Sequence, residues 1–286
     1  FCPIHHLGLI IIDEEHDTSY KQESSSFKYH ARDVALVRAK YSNSTILLGS
    51  ATPSIESYYY AMNNKTKLLK INHRYNNAQY PQVDIVDMKH GRNRFSYDFS
   101  HQLINSMKDC INKNEQMIIL HNRRGFSNIC RCVNCGEITS CDNCSISLTY
   151  HSNSQLICHY CSASYIKPEI CIACNGTNVN PIGAGTQKIE LEINKLFPDL
   201  KIARMDFDTM KNYNNYKNIL YDFANHKYDV LLGTQMVSKG LDFSGVTLVG
   251  VINGDTNLYI PDFRSGERTF QLLYQVCGRA GRNHKA

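Results

Sequence analysis

No apolar run in this chain is long enough to span a bilayer: the best, Leu7 to Ile12, falls far short of the ~20 residues a membrane helix needs. No basic-then-apolar leader precedes it, so nothing here addresses the chain for secretion. Solenoid-type repeats are absent. Neither sign of charge dominates: 31 Lys and Arg against 26 Asp and Glu give +5, a balance that permits a nucleic-acid partner without demanding one. The opening residue is Phe1 rather than methionine, directly ahead of a strand-like run, and the chain is expected to be a piece of a longer protein.

What is present is an ordinary globular composition, 42% hydrophobic and 20% charged over 286 residues, enough for about two domains with a core and unlike a disordered tail. The first stretch reads strand (Leu7–Ile12), loop, helix (Ala31–Tyr41), strand (Thr45–Leu48) and helix (Ser54–Met62). A polar stretch, Asn63 to Pro81, reads as a linker. A strand (Val83–Val86), an amphipathic helix (Phe99–Asn112) and a strand (Met117–Leu120) follow. After a cysteine-rich block the punctuation returns: helix Gln187–Phe197, strand Ile202–Met205, helix Tyr216–His226, strands Val230–Leu232 and Thr247–Ile252, and helix Ser265–Arg279. The block reads as an insertion in an α/β domain.

Twelve cysteines without a leader point to metal or catalysis rather than to a disulfide framework. Four C-x-x-C knuckles fall within 43 residues: Cys132/Cys135, Cys141/Cys144, Cys158/Cys161 and Cys171/Cys174. Each knuckle offers two corners of the thiolate tetrahedron that Zn²⁺ prefers, so four knuckles make two Cys₄ sites. Thirteen residues separate the inner pair and only five separate the first knuckle from the second. A nested arrangement follows, Cys141, Cys144, Cys158 and Cys161 on one Zn²⁺ and Cys132, Cys135, Cys171 and Cys174 on the other. An iron–sulfur cluster is the competing use of such thiolates. Cys130, His151 and His159 are spare ligands beside filled sites, and Cys2, Cys110 and Cys277 read as buried small hydrophobes. Eight thiolates and two dications take the formal +5 to +1, so local patches must carry any case for DNA.

Other motifs follow strands. Asp13-Glu14-Glu15-His16 sits after the first, where a carboxylate can hold Mg²⁺ through water and its neighbour can orient an attacking water. Gly49-Ser50-Ala51-Thr52 follows the second, and a run from Gly233 through Thr234, Gln235 and Lys239 to Gly240 follows a later one. Arg279 and Arg282, three apart near Gln275, can clamp phosphate oxygens from one side of a helix end. Tyr20, Lys21, Phe27, Tyr29, His30 and Arg32 interleave aromatics with cations, a pattern that stacks on unpaired bases while neutralising phosphate. Arg123 and Arg124 beside Gly125-Phe126 are a second candidate of that kind. Tyr58-Tyr59-Tyr60 reads as packing and surface.

Together LGLIIIDEEHDTSYKQ, FKYHARDVA, LLGSATPSIES, HNRRGFS, the eight-cysteine block, GTQMVSKGLDF, DFRSGER and QVCGRAGR resemble, in order, the pieces of a superfamily 2 helicase core, most closely the primosomal replication-restart helicase family. The resemblance implies two RecA-like lobes: residues 1–72 would be the C-terminal part of lobe one, 73–129 the start of lobe two, 130–178 a double zinc-binding insertion and 179–286 the rest of lobe two. It implies an ATP-dependent 3′-to-5′ DNA helicase, using ATP with Mg²⁺, that recognises abandoned forks and helps reload the replicative helicase. Asp13 would position Mg²⁺, Glu14 would polarise water and His16 would couple the site to lobe two. Ser50 and Thr52 would link hydrolysis to DNA movement. Gln275, Arg279 and Arg282 would reach the γ-phosphate. Thr234, Gln235, Lys239 and Gly240 would sense DNA and nucleotide, and the aromatic-rich loop would couple them. Implied partners are branched and single-stranded DNA, primosome proteins, replicative-helicase loading factors and single-stranded-DNA-binding protein. No membrane is involved, and the implied setting is the bacterial cytoplasm, with the nucleoid.

The sequence departs from that family in lacking any G-x-x-x-x-G-K-S/T loop; Gly183 to Lys188 has the wrong spacing. Without that cradle the chain by itself is not expected to hydrolyse ATP. The family carries the loop ahead of the DEEH strand, has further DNA-binding domains before it, and has another domain after the last arginine motif. Cys277 stands where the family more usually has alanine. The alternative is a zinc-bearing remnant that binds DNA or protein without turnover; a branch-migrating superfamily 2 translocase is a weaker alternative because such enzymes normally lack the eight cysteines.

Overall fold

The computed structural model describes residues 3–22, 26–74, 80–122, 129–151, 155–182, 185–206, 213–238, 243–260 and 262–280. The chain divides into two compact units, Phe1–Asn72 and His73–Ala286.

In the first unit, strand β1 (Leu9–Ile12) pairs in parallel with β2 (Thr45–Leu48). The crossover between them is helix α1 (Ala31–Tyr41), whose Ala35 and Ala39 are buried, and helix α2 (Ile55–Met62) follows β2. Ser54, expected to be the first helical residue, instead caps α2: its side chain accepts from the Ser57 N–H. The strand begins at Leu9 rather than Leu7, and Gly8 still accepts a backbone bond from Thr45 at 3.0 Å.

The second unit is built on helix α3 (His101–Asn112) and strand β3 (Gln116–His121), the latter buried at every position. Strands β4 (Ile129–Cys132), β5 (Thr149–Tyr150), β6 (Gln155–Ile157), β7 (Ser164–Ile166) and β8 (Val179–Ile182) form a separate antiparallel sheet in the order β7-β6-β5-β4-β8. Helix α4 (Thr186–Leu196), strand β9 (Ile202–Met205), helix α5 (Tyr213–Ala224), strand β10 (Val230–Gly233), strand β11 (Val246–Ile252) and helix α6 (Ser265–Cys277) complete a parallel sheet ordered β11-β3-β10-β9. Its two central strands, β3 and β10, are buried at every position because both faces of the sheet are covered. Met117, Ile119, Val230 and Leu232 point to one core with Ile104, Met107, Ile189 and Ile193. Ile118, Leu120 and Leu231 point to the other, with Phe223, Leu272 and Val276. Period-two alternation along β3 and β10 thus places helices on both sides.

Three expectations need correction. Val83–Val86 forms no strand: Val83 and Ile85 are exposed and pair with no described strand. Helix α3 starts at His101 because Ser100 accepts from the Leu103 N–H and ends the preceding turn. Helix α6 stops at Cys277, with Gly278 as its cap, so Arg279 lies in the turn beyond. No helix among the described residues is long and apolar enough to cross a membrane.

Candidate nucleotide and metal sites

At the end of β1 the chain turns sharply. Glu14 takes a left-handed φ of +47°, and its N–H donates to Asp13 Oδ1 at 2.9 Å. Gly49, at the end of β2, donates to Ile12 O at 2.8 Å, and Glu15 donates back to Gly49 O at 3.0 Å, so the two strand-end loops are stitched together. His16 Nδ1 lies 2.7 Å from Ser50 Oγ and 3.5 Å from a Glu14 carboxylate oxygen. Ser50 Oγ also accepts from the Thr52 N–H at 3.0 Å. The Tyr20 hydroxyl donates to Asp13 O at 2.8 Å; burial, then the nearby Asp13, Asp17 and Glu14, raise its pKa. Asp13, Glu14, His16, Tyr20, Ser50 and Thr52 therefore share one site.

The described ends of the aromatic-rich segment pair as the base of a hairpin, Lys21 bridging His30 and Gln22 donating to Tyr29 O at 2.8 Å. Phe27 and Tyr29 are solvent-facing, Phe27 with 85% of its surface exposed. Arg32, expected with them to neutralise phosphate, is turned inward. It is 12% exposed and its Nη1 donates to Glu15 Oε2 at 2.8 Å. Glu15, to which its place in the sequence assigns no role, is the most buried acid among the described residues: burial pushes its carboxyl up, but the Arg32, Ser54 and Ser57 hydrogen bonds more than offset that and lower it. Nothing at sequence level distinguishes Glu15 from its acidic neighbours, because its partners lie 17 and 39 residues away.

In the second unit, Gly233 ends β10 where an added Cβ would come within 2.5 Å of Met205 O, so the close approach demands glycine. Thr234 N–H donates to Met205 O at 3.3 Å, and Gln235 opens a short 3₁₀ turn. Val237 of that turn and Val276 of α6 share a core, which packs the turn against the helix that carries the half-buried Gln275. Arg279 is half-buried just past α6. Arg123, Arg124, Lys239, Gly240 and Arg282 lie outside the described residues.

The cysteine block forms two tetrads, Cys132, Cys135, Cys171, Cys174 and Cys141, Cys144, Cys158, Cys161, the sulfurs of each within 4.8 Å of one another. The Cys132–Cys174 and Cys135–Cys171 separations are 3.6 Å and Cys141–Cys161 is 3.7 Å. A Zn–S length of ~2.3 Å in a tetrahedron requires about 3.8 Å, so the donor set can hold Zn²⁺. All four knuckles close identically: the residue after the second cysteine donates to the first cysteine's carbonyl at 2.8–2.9 Å. That residue is left-handed every time, Gly136, Ser145, Ser162 and Asn175. The Tyr165 hydroxyl lies 3.4 Å from Cys141 Sγ and, with backbone N–H groups and against burial, brings that thiol down to about 6. Backbone N–H groups of Cys135 and Asn134, also against burial, lower Cys132 to about 7. Cys130 is buried outside both tetrads, and His151 and His159 stack edge-on. The block is tied to the parallel-sheet domain by Arg94 Nη1 donating to Val133 O at 2.6 Å, by the Ser147 hydroxyl donating to Tyr259 O, and by Arg131 over the Tyr97 ring.

The family described as helicase conserved C-terminal domain matches residues 152–284. Replication restart protein PriA of Bacillus subtilis is 46% identical over 287 residues, covering 100% of this chain and 36% of that protein. PriA of Chlamydia pneumoniae is 42% identical over 289 residues, covering 99% and 39%. The chain thus spans little more than a third of the length of these relatives. The solved structure of S. cerevisiae Dbp5 bound to RNA and ADP BeF3 aligns with 98% of this chain and 51% of its own, at 12% identity and a TM-score of 0.42. The match to the helicase conserved C-terminal domain falls on part of the cysteine-rich insertion and on the α/β elements that follow it in the parallel sheet.

Proposed function

We propose, starting from a chain that is PriA-like over its whole length, that it forms the motor segment of an ATP-driven DNA helicase of replication restart. In this reading residues 1–72 contribute to the first lobe, 73–129 and 179–286 form the second, and 130–178 hold two structural Zn²⁺. Asp13 at the strand end holds Mg²⁺ through water and Glu14 orients the attacking water. His16 keeps its imidazole against Ser50, so a change at the nucleotide is felt in the loop that carries Ser50 and Thr52. Gln275, Arg279 and Arg282 stabilise charge on the γ-phosphate, while Thr234, Gln235 and Lys239 sense DNA and nucleotide. Lys21, Phe27 and Tyr29, with Arg123 and Arg124, engage single-stranded DNA by stacking and phosphate contact. Translocation runs 3′ to 5′. The substrate is the abandoned fork, and the partners are primosome proteins, replicative-helicase loading factors and single-stranded-DNA-binding protein, in the bacterial cytoplasm on the nucleoid.

The observation that carries this reading is the His16–Ser50 bond of 2.7 Å, which joins the acidic strand-end motif to the Gly49–Thr52 loop across 34 residues of sequence. The test is Arg279→Ala in the full-length gene product. DNA-stimulated ATP turnover is expected to vanish while fork binding persists; surviving turnover overturns the arginine assignment. The second reading, a zinc-bearing module without turnover, is favoured by the missing G-x-x-x-x-G-K-S/T loop. It predicts two zinc ions per chain and fork binding with no ATP turnover in that same gene product.

A further inference from the structure

Glu15 is the centre of a buried polar cluster that none of the roles above uses. Its carboxylate accepts four hydrogen bonds: from Arg32 Nη1 at 2.8 Å, the Ser54 N–H at 2.6 Å, the Ser54 hydroxyl at 3.1 Å and the Ser57 hydroxyl at 2.9 Å. The same guanidinium nitrogen donates to Ser54 Oγ at 2.7 Å and reaches Ser57 Oγ at 3.3 Å. Glu15 retains 1% of its exposure and Ser54 3%. A charge so far from water persists only when a counter-charge and hydrogen bonds replace its hydration. Such an arrangement resists partial rearrangement, because moving any one partner leaves a buried charge unsatisfied.

The four residues belong to three different segments. Glu15 lies two residues after Asp13, in the loop also held by Gly49 O. Arg32 opens α1, immediately after the aromatic hairpin closed by Lys21 and His30. Ser54 and Ser57 form the N-cap and first turn of α2, directly after the loop that carries Ser50 and Thr52. A displacement of the aromatic hairpin pulls on Arg32, and through Glu15 it pulls on both strand-end loops at once.

We propose that Glu15, Arg32, Ser54 and Ser57 form a strut that transmits DNA engagement by the aromatic hairpin to the Asp13–Glu14 and Ser50–Thr52 loops, with Arg32 a positioning residue acting through Glu15 rather than a phosphate contact. The inference rests on the helicase reading and deepens it. A strut of this kind alters coupling between DNA and ATP turnover without altering affinity for either.

The experiment compares DNA-stimulated and basal ATP turnover, KM for ATP, and the salt dependence of single-stranded DNA affinity in the full-length gene product. The variants are Glu15→Gln, Ser57→Ala and Arg32→Gln. Glu15→Gln is expected to lower the DNA-stimulated kcat roughly tenfold with KM and basal turnover held. Ser57→Ala, which leaves the ion pair in place, is expected to show a smaller loss in the same direction and serves if Glu15→Gln does not fold. For Arg32→Gln the salt slope of DNA binding is expected to be unchanged, whereas a lost phosphate contact would flatten it by about one. A flattened slope, an equal fall in basal and stimulated turnover, or unaltered stimulation each overturns the strut while the helicase reading stands. A wild-type protein with no DNA-stimulated turnover overturns both.

Discussion

Glu14 carries a left-handed backbone at φ +47°, a conformation that costs a non-glycine residue of order 1–3 kcal/mol and tends to persist at working sites. Here the Asp13 carboxylate accepts from Glu14's own N–H, and Asp17 N–H closes the turn on Glu14 O at 2.8 Å. The geometry presents two acids at a strand end while His16 folds back on Ser50. Glu15 beside them does the opposite job, buried against Arg32. Because its pKa lies below the ordinary 4.5 when folded, its contribution to stability is fully present above pH 4.5 and is lost as pH falls through the folded value. Urea unfolding followed from about pH 6 down to pH 3 is expected to show a loss below 4.5 that Glu15→Gln removes. An unchanged acid limb in that variant would show that Glu15 is not the group responsible. None of this cluster was legible beforehand. Arg32 read as one more cation in an aromatic loop, and only the chain's return past Ser54 turns it inward.

Among the elements, the cysteine block shows how repeated local chemistry makes a fold. Each C-x-x-C turn needs a left-handed residue right after it, and Gly136, Ser145, Ser162 and Asn175 supply one. The spacing of the knuckles was enough to group eight thiols into two nested sets, because a ligand pair three residues apart is decided locally. The five-stranded antiparallel sheet that carries them was not foreseen, since its strands are only two to four residues long and pair across the knuckles. One tetrad has a side-chain donor besides cysteine: Tyr165 on β7 reaches Cys141. Hydrogen bonds of this kind stabilise a metal-bound thiolate, and outer partners of metal ligands are commonly worth ten- to a hundredfold in affinity. Tyr165→Phe is therefore expected to speed chelator-driven Zn²⁺ release from the inner tetrad about tenfold, leaving the Cys132 tetrad's phase as it was. Equal release rates in variant and wild type would show that the hydroxyl does not act on the metal.

For the whole molecule, the two units differ in how much structure each closes by itself. The 73–286 unit has a four-stranded parallel sheet with a core on each face and a metal-capable sheet tied to it by Arg94 and Ser147. Among the described residues the 1–72 unit pairs two parallel strands whose Leu9, Ile11 and Leu47 remain exposed, and a two-stranded sheet is marginal in water. Produced separately with Zn²⁺, 73–286 is expected to unfold cooperatively and protect its β3 and β10 amides from exchange, while 1–72 shows little protection. Strong protection in isolated 1–72 would show that two strands and α1 suffice. What the sequence alone determined here is everything set by short-range pattern: the apolar strands, the amphipathic helices, the knuckle spacing and the ordered motifs that resemble those of a helicase core. Only the tertiary structure decided which polar groups are spent on one another, such as Glu15 on Arg32 and Ser54, and His16 on Ser50. The physical reason is that burial of a charge depends on segments tens of residues apart arriving at one place, and no local period encodes that meeting.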